Sequence, residues 1–113
     1  MKGRLPEFHA IVRWSSAHGS QREIATGGRL IHPSRFEEDG PSWPPAECWS
    51  VVLTFEHPVA YGDQTSEARA RFLVADAPQS RLAAGRTFEF FEGPNLLATI
   101  SLQKQAGIVE ADA

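Results

Sequence analysis

Apolar and polar side chains alternate along several short stretches of the chain, which is the pattern of half-buried β-strands. The clearest stretch alternates Phe8, Ala10, Val12 and Trp14 with mostly polar neighbours, so we predict that these four side chains face a core. Similar alternation predicts strands over residues 49–56, 68–74, 87–92 and 96–103, the last two joined as a hairpin by a turn rich in Gly, Pro and Asn.

Two weaker stretches complete the predicted set of strands. Residues 21–25 predict a short strand that ends before the next glycines, and residues 29–32 predict another that ends at Pro33, because proline has no N–H to donate to a neighbouring strand. Residues 36–48 contain an acidic run and several prolines and predict a long irregular loop. We expect Trp43 to hold this loop against the folded core, since one large aromatic ring covers much apolar surface.

Six or so short strands, little helix and frequent turns predict an all-β fold, namely a single antiparallel β-barrel. The length of 113 residues suits one domain, which we assign to residues 1–113 with a core at about 8–103. The last ten residues, 104–113, are small or polar and are predicted to fray.

Nothing in the chain approaches the roughly 20 consecutive apolar residues of a membrane span, and no apolar run follows the first residues as in a secretory signal. Cys48 is the only cysteine, so no internal disulfide is predicted. These features together predict a cytoplasmic protein that is not bound to a membrane.

The net charge of −3 argues against general nucleic-acid binding, but the charge is spread unevenly. Residues 1–35 contain six Lys and Arg against two acidic residues, whereas residues 36–67 contain seven acidic residues and no Lys or Arg. We interpret these charges as solvated side chains scattered over the barrel. The alternative is that the fold gathers the basic residues on one face.

No set of residues predicts a catalytic centre, a metal site or a cofactor. The separations of the histidines match no common ligand spacing, so we interpret them as strand-edge or turn residues. Cys48 lacks a predicted helix start or base that would activate it, and we predict a buried structural thiol. Glu89 and Glu92 are predicted to point to opposite faces of one strand and so form no acid–base pair. The histidines are His9, His18, His32 and His57.

Arginines are the best candidates for contact with an anionic partner. Arg69 and Arg71 share one face of a predicted strand, so together they could hold an anion. A pair of glycines would allow the backbone to approach a ligand closely, although a glycine-permitted bend explains the same residues. The full candidate set is Gly27, Gly28, Arg29, Arg35, Arg69 and Arg71.

The order and spacing of several short motifs resemble the third, C-terminal domain of elongation factor Tu, a barrel that also occurs in small stand-alone proteins. The motifs are Gly27-Gly28-Arg29, the strand 51–58 ending in His-Pro, the Arg-bearing strand 68–74, the segment 85–88 and the hairpin 92–98. They cover most of residues 8–103, and the resemblance implies the barrel fold of that family.

The same family also implies a transfer-RNA partner, because its Gly-Gly-Arg step leads into a Gly-Tyr-Arg-Pro segment that helps to hold transfer RNA. Here Arg29 leads instead into residues 30–36, which lack that Tyr and that Arg-Pro order. The sequence also contains no Gly-x-x-x-x-Gly-Lys-Ser/Thr loop, so we predict no GTPase activity.

We therefore predict a non-catalytic binding or interaction module whose partner is a protein or an anionic surface. Two alternatives are RNA binding through an Arg-bearing face, and a small-molecule-binding barrel or enzyme that uses histidines at the barrel mouth. The oligomeric state stays open. An apolar surface at Phe91 or Leu97 indicates either a dimer contact or the outer side of a covered strand.

Overall fold

The computed structural model describes residues 3–15 and 18–112. Six antiparallel strands close into a barrel in the spatial order β1-β4-β3-β2-β5-β6, which confirms the predicted fold class. No helix in the described part of the chain is long and apolar enough to cross a membrane. The strands are β1 (Arg4–Trp14), β2 (Arg29–Arg35), β3 (Trp49–Phe55), β4 (Thr65–Phe72), β5 (Thr87–Glu92) and β6 (Asn95–Glu110), and short 3-10 helices span Glu37–Asp39 and Gln79–Arg81.

The inward-facing side chains of all six strands fill the barrel. The four alternating apolar residues of β1 are buried as predicted, because successive side chains of a strand point to opposite faces. A barrel of this size encloses just enough space for its own side chains. The largest fully buried apolar side chains are Phe55, Phe72, Phe90, Leu5, Leu53, Ile100, Val12, Val51 and Val52.

The strands β1 and β6 are longer than the sequence pattern predicts. Arg4 pairs with Glu110, so residues 104–110, predicted to fray, form the end of β6. The prediction failed because residues 103–107 are polar or small and lack apolar alternation, and they are ordered by pairing with a strand almost a hundred residues away. Beyond the strand, the Ala111 N–H donates to the Gly3 carbonyl at 2.8 Å, which extends the same contact.

Two predictions on the short strands also differ from the structure. Residues 21–25 form no strand, and Ile24 makes only an isolated bridge to Val59. Pro33 does not end β2, which continues to Arg35. Proline is tolerated there because its missing N–H faces away from β3, on the side where the strand has little pairing.

The acidic, Pro-rich loop at 36–48 lies against the outside of the barrel. The ring of Trp43 stacks on Phe91 with 3.8 Å between ring centroids, and its indole N–H donates to the Gly93 carbonyl at 3.1 Å. Trp43 thus holds the loop in place, as predicted. Phe91 is buried in this arrangement, so it lies on the outer side of a covered strand and forms no exposed patch.

Candidate functional site

Gly27 and Gly28 form a tight bend whose geometry requires glycine for structural reasons. Gly27 has a φ of 81°, in the region that favours glycine, and its N–H donates to the Phe55 carbonyl at 2.8 Å. A Cβ on Gly28 would lie 2.6 Å from Ile24 Cγ2 and 2.9 Å from the Ala25 carbonyl oxygen. The bend delivers the chain into β2, and this explains both residues without a ligand.

Arg29 and Arg71 converge on the carboxylate of Asp112. Arg29 Nη2 lies 2.8 Å from Asp112 Oδ2, and Arg71 Nη2 lies 2.7 Å from Asp112 Oδ1. The side chain of Arg71 is only 9% exposed, because the segment that carries Asp112 lies over it. Hydrogen bonds from Arg29 and then from Arg71 lower the pKa of Asp112. Both arginines thus already bind a carboxylate of the same chain.

Arg69 shares the outer face of β4 with Arg71, as predicted, but it contacts different carboxylates. Its Nη1 lies 3.5 Å from Glu7 Oε1, and its Nε lies 3.6 Å from Glu56 Oε1. The two guanidinium groups therefore do not hold one anion together. Instead, Arg69 and Arg71 each form ion pairs with carboxylates on different neighbouring segments.

Arg35 lies at the far end of β2 and forms a third, separate cluster. Its Nε donates to Glu89 Oε1 at 2.7 Å, and its guanidinium carbon lies 5.3 Å from the centre of the Phe91 ring. The four candidate arginines are thus divided among three clusters, each with at least one carboxylate. Each of these arginines is paired with a carboxylate that is far from it in the sequence, which leaves little positive charge for a phosphate backbone.

Cys48 is exposed, so the prediction of a buried thiol is wrong. The residue lies in the Pro-rich loop just before β3, where no strand alternation directs it inward. Partial desolvation, and then the negative charge of Asp39, raise the pKa of the Cys48 thiol. A raised pKa leaves less thiolate at neutral pH, which disfavours a nucleophilic role.

A cluster of histidine and glutamate side chains lies on the outer face of β1, β3 and β4, and sequence reasoning missed it. His57 Nε2 lies 3.2 Å from Glu67 Oε2, and His9 Nδ1 lies 3.2 Å from Glu56 Oε1. Glu56 lies opposite Glu67, since its N–H donates to the Glu67 carbonyl at 3.4 Å. Part of the signal was present in the sequence, because Glu56 ends the predicted strand 49–56 and Glu67 immediately precedes the predicted strand 68–74. Pairing these two strands as a hairpin would bring the two carboxylates close together.

The pairing of β2 with β5 is the shortest in the barrel. It consists of Ser34 with Phe90 and Arg35 with Glu89. Two further side chains contact Glu92 at the end of β5. Arg22, from the segment before β2, places Nη2 3.2 Å from Glu92 Oε1, and His32 of β2 places Nε2 3.7 Å from Glu92 Oε2. We call the line along which β2 and β5 meet the β2–β5 seam.

The first half of β2 has one free edge along this seam. The Phe55 N–H donates to the Gly28 carbonyl, and this bond determines which residues of β2 direct their backbone groups to β3. Because antiparallel strands alternate their bonding sides, Leu30 bonds to β3 while Arg29 and Ile31 direct their backbone groups to the β5 side. Within residues 3–15 and 18–112, neither Arg29 nor Ile31 pairs with a residue of β5.

His32 lies beside this edge with its ring against the core. The ring meets Phe90 edge-on with 5.3 Å between centroids. Burial lowers the pKa of His32, the nearby Glu92 carboxylate opposes this effect and Arg22 adds to it. These effects together favour the neutral imidazole. His32 does not share a pocket with the histidines of the cluster on β1, β3 and β4.

Comparison with models of protein families and with curated proteins finds no match to this chain. The resemblance to the third domain of elongation factor Tu therefore stays a prediction from sequence motifs.

Proposed function

We propose that the chain is a non-catalytic interaction module that binds a protein partner along the free edge of β2. The observation that carries this proposal is the unpaired backbone of Arg29 and Ile31 beside the short β2–β5 seam. An edge with free N–H and C=O groups is a template for an extended segment of another chain. Ladder hydrogen bonds would supply affinity, and neighbouring side chains would supply specificity.

Side chains at this edge suit a protein partner. Ile31 is 42% exposed and lies next to Arg29 on the outer face of β2. Protein interfaces are enriched in arginine and use apolar side chains as anchors. The barrel interior, by contrast, is filled by side chains, so a ligand site inside it would need the core to open. Binding is therefore best supported on the outside.

The edge is short, and this limits the kind of contact it makes. Pro33 has no N–H that could pair with a partner strand. The ion pair between Arg22 and Glu92 also crosses the β2–β5 seam. A partner strand would pair with β2 over about two or three residues only, so we propose a transient interface at the small end of the usual size range. Selection against uncontrolled edge-to-edge pairing explains a proline at this position.

We also propose that the chain is a relative of the third domain of elongation factor Tu. Its support is the order of the motifs and the six-stranded barrel architecture. A shared fold does not establish a shared partner, so this relation adds nothing to the assignment of the binding edge. RNA binding is the alternative to binding a protein partner, and crosslinking distinguishes the two.

Photo-crosslinking tests where a partner binds. A photoreactive amino acid replaces Ile31 in one variant and Ile108 in a control variant, since Ile108 is 64% exposed but lies on β6. We expect a discrete protein adduct from position 31 in extracts of the source organism, and none from position 108. Adducts sensitive to ribonuclease, or equal protein adducts from both positions, would contradict the proposal.

A matched pair of substitutions then tests the backbone mechanism on the purified adduct partner. Ile31→Pro removes the free N–H without removing a bond to β3, whereas Ile31→Ala shortens the side chain and keeps the N–H. Loss of one backbone hydrogen bond is worth about 0.5–1.5 kcal/mol, so we expect Ile31→Pro to bind about two- to tenfold more weakly than Ile31→Ala. Equal affinities in a titration would exclude pairing through this N–H.

A further inference from the structure

We propose that the cluster of Glu56, His57 and Glu67 is a binding site for a divalent transition-metal ion, with Zn²⁺ as the probe. The three residues each offer one ligand atom, and these atoms lie within 4.8 Å of one another. Imidazole nitrogen with carboxylate oxygen is a ligand set that zinc accepts. This site is independent of the partner edge, because it lies at the β3–β4 end of the barrel.

The spacing of the ligand atoms fits such an ion. A tetrahedral ion with bonds of about 2.0–2.1 Å separates neighbouring ligand atoms by roughly 3.3 Å. His57 Nε2 and Glu67 Oε2 are 3.2 Å apart, so they already match one edge of that tetrahedron. The Glu56 ligand atom lies within 4.8 Å of the other two and would move closer to them on binding, and the fourth position is left for water.

The electrostatics of the cluster also favour a cation. Glu56 and Glu67 are directly opposite on neighbouring antiparallel strands, and like charges in such a pair repel each other. Without a metal ion, contacts to imidazole rings and to Arg69 reduce this repulsion. A divalent ion between the carboxylates would remove it directly.

His9 is a positioning residue for the proposed site. Its Nδ1 lies 3.2 Å from Glu56 Oε1, so it orients the Glu56 carboxylate from β1 without belonging to the three ligands. Ligating carboxylates commonly have such a hydrogen-bonded neighbour, and its loss typically costs 10- to 100-fold in metal affinity. Arg69 contacts the same oxygen at 3.6 Å and competes with the ion for it.

The site also has room for the water that would complete the coordination. His57 and Glu67 border a surface depression of about 290 Å³ that also contains Thr65, Ser66 and Asp63. The open position and the exposed ligands indicate a site that exchanges its ion with solution.

Zinc titration by calorimetry of the untagged chain tests the proposal. All variants carry Cys48→Ser, because the exposed thiol is itself a zinc ligand. We expect one Zn²⁺ per chain, at least a tenfold loss of affinity in His57→Ala and in Glu67→Gln, and about a tenfold loss in His9→Gln. The control His18→Ala removes a histidine outside the cluster and should bind like the parent.

Two results would overturn the site. One is no saturable Zn²⁺ binding to the parent chain at millimolar zinc, and the other is equal affinity in His57→Ala and His18→Ala. Circular dichroism of each variant verifies folding, and the high exposure of His57 makes loss of the fold unexpected. The partner edge can be tested in the same variants, so failure of one proposal is distinguishable from failure of the other.

Discussion

The β1–β6 seam and the β2–β5 seam of the barrel differ in how they are closed. Along the β1–β6 seam, pairing runs from Arg4 with Glu110 to Trp14 with Ala98 and includes two register shifts. Along the β2–β5 seam, backbone pairing covers Ser34 and Arg35, and side chains bridge the rest. Closing a barrel protects strand edges from other chains. The short β2–β5 seam therefore leaves the first half of the β2 edge without strand pairing.

The difference between the seams also predicts different effects of substitutions. Buried apolar side chains and a long ladder of paired residues along the β1–β6 seam stabilise the fold. The β2–β5 seam has exposed Ile31, a proline and ionic side chains. We expect substitutions at the first seam to change the free energy of unfolding, and substitutions at the second to change binding.

A matched pair of isoleucine substitutions should show the largest contrast. Ile100 is fully buried in β6, so Ile100→Ala should lower the free energy of unfolding by about 2–5 kcal/mol through lost contacts and a cavity. Ile31→Ala should change it by no more than about 0.5 kcal/mol, as is usual at exposed positions. Chemical denaturation measures both values, and similar losses at the two sites would refute the contrast.

A smaller effect is expected from acidification at the β2–β5 seam. Burial lowers the pKa of His32 in the folded state, so below the ordinary histidine value of 6.5 the unfolded chain takes up a proton that the folded chain resists. Stability should therefore be complete above pH 6.5 and fall as the pH decreases through that value. Denaturation at pH 7.5 and 5.5 should show a smaller fall in His32→Gln than in the wild type. An unchanged fall would exclude His32 as a contributor.

Much of the fold was predictable from local alternation, and what was missed depended on distant pairing. The inward set of β1 and the closing hairpin follow from side chains that alternate within a strand. The end of β6 could not be predicted from alternation, because Gln105 and Gly107 are ordered only by pairing with Phe8 and Glu7. Similarly, Pro33 signals a strand end locally, but it is tolerated at an edge.

The candidate site was less predictable, since ion pairs join residues far apart in the sequence. The sequence identified Arg29 and Arg71, but not Asp112, which binds both. The spacing of the histidines likewise did not indicate the contact between His57 and Glu67, because these residues come together only across the β3–β4 hairpin. Strand pairing, rather than short motifs, determines which chemical groups meet in this barrel.

We propose that the edge of β2 at Ile31 is open to solvent and available for a partner strand. Site-resolved amide hydrogen exchange on the purified chain tests it most directly. Ile31 N–H should exchange at close to the rate of an unprotected amide, while Val12 N–H, inside the pairing of β1 with β4 and β6, should exchange only on global unfolding. Comparable protection of the two amides would show that the edge is closed and would contradict the proposed mode of binding.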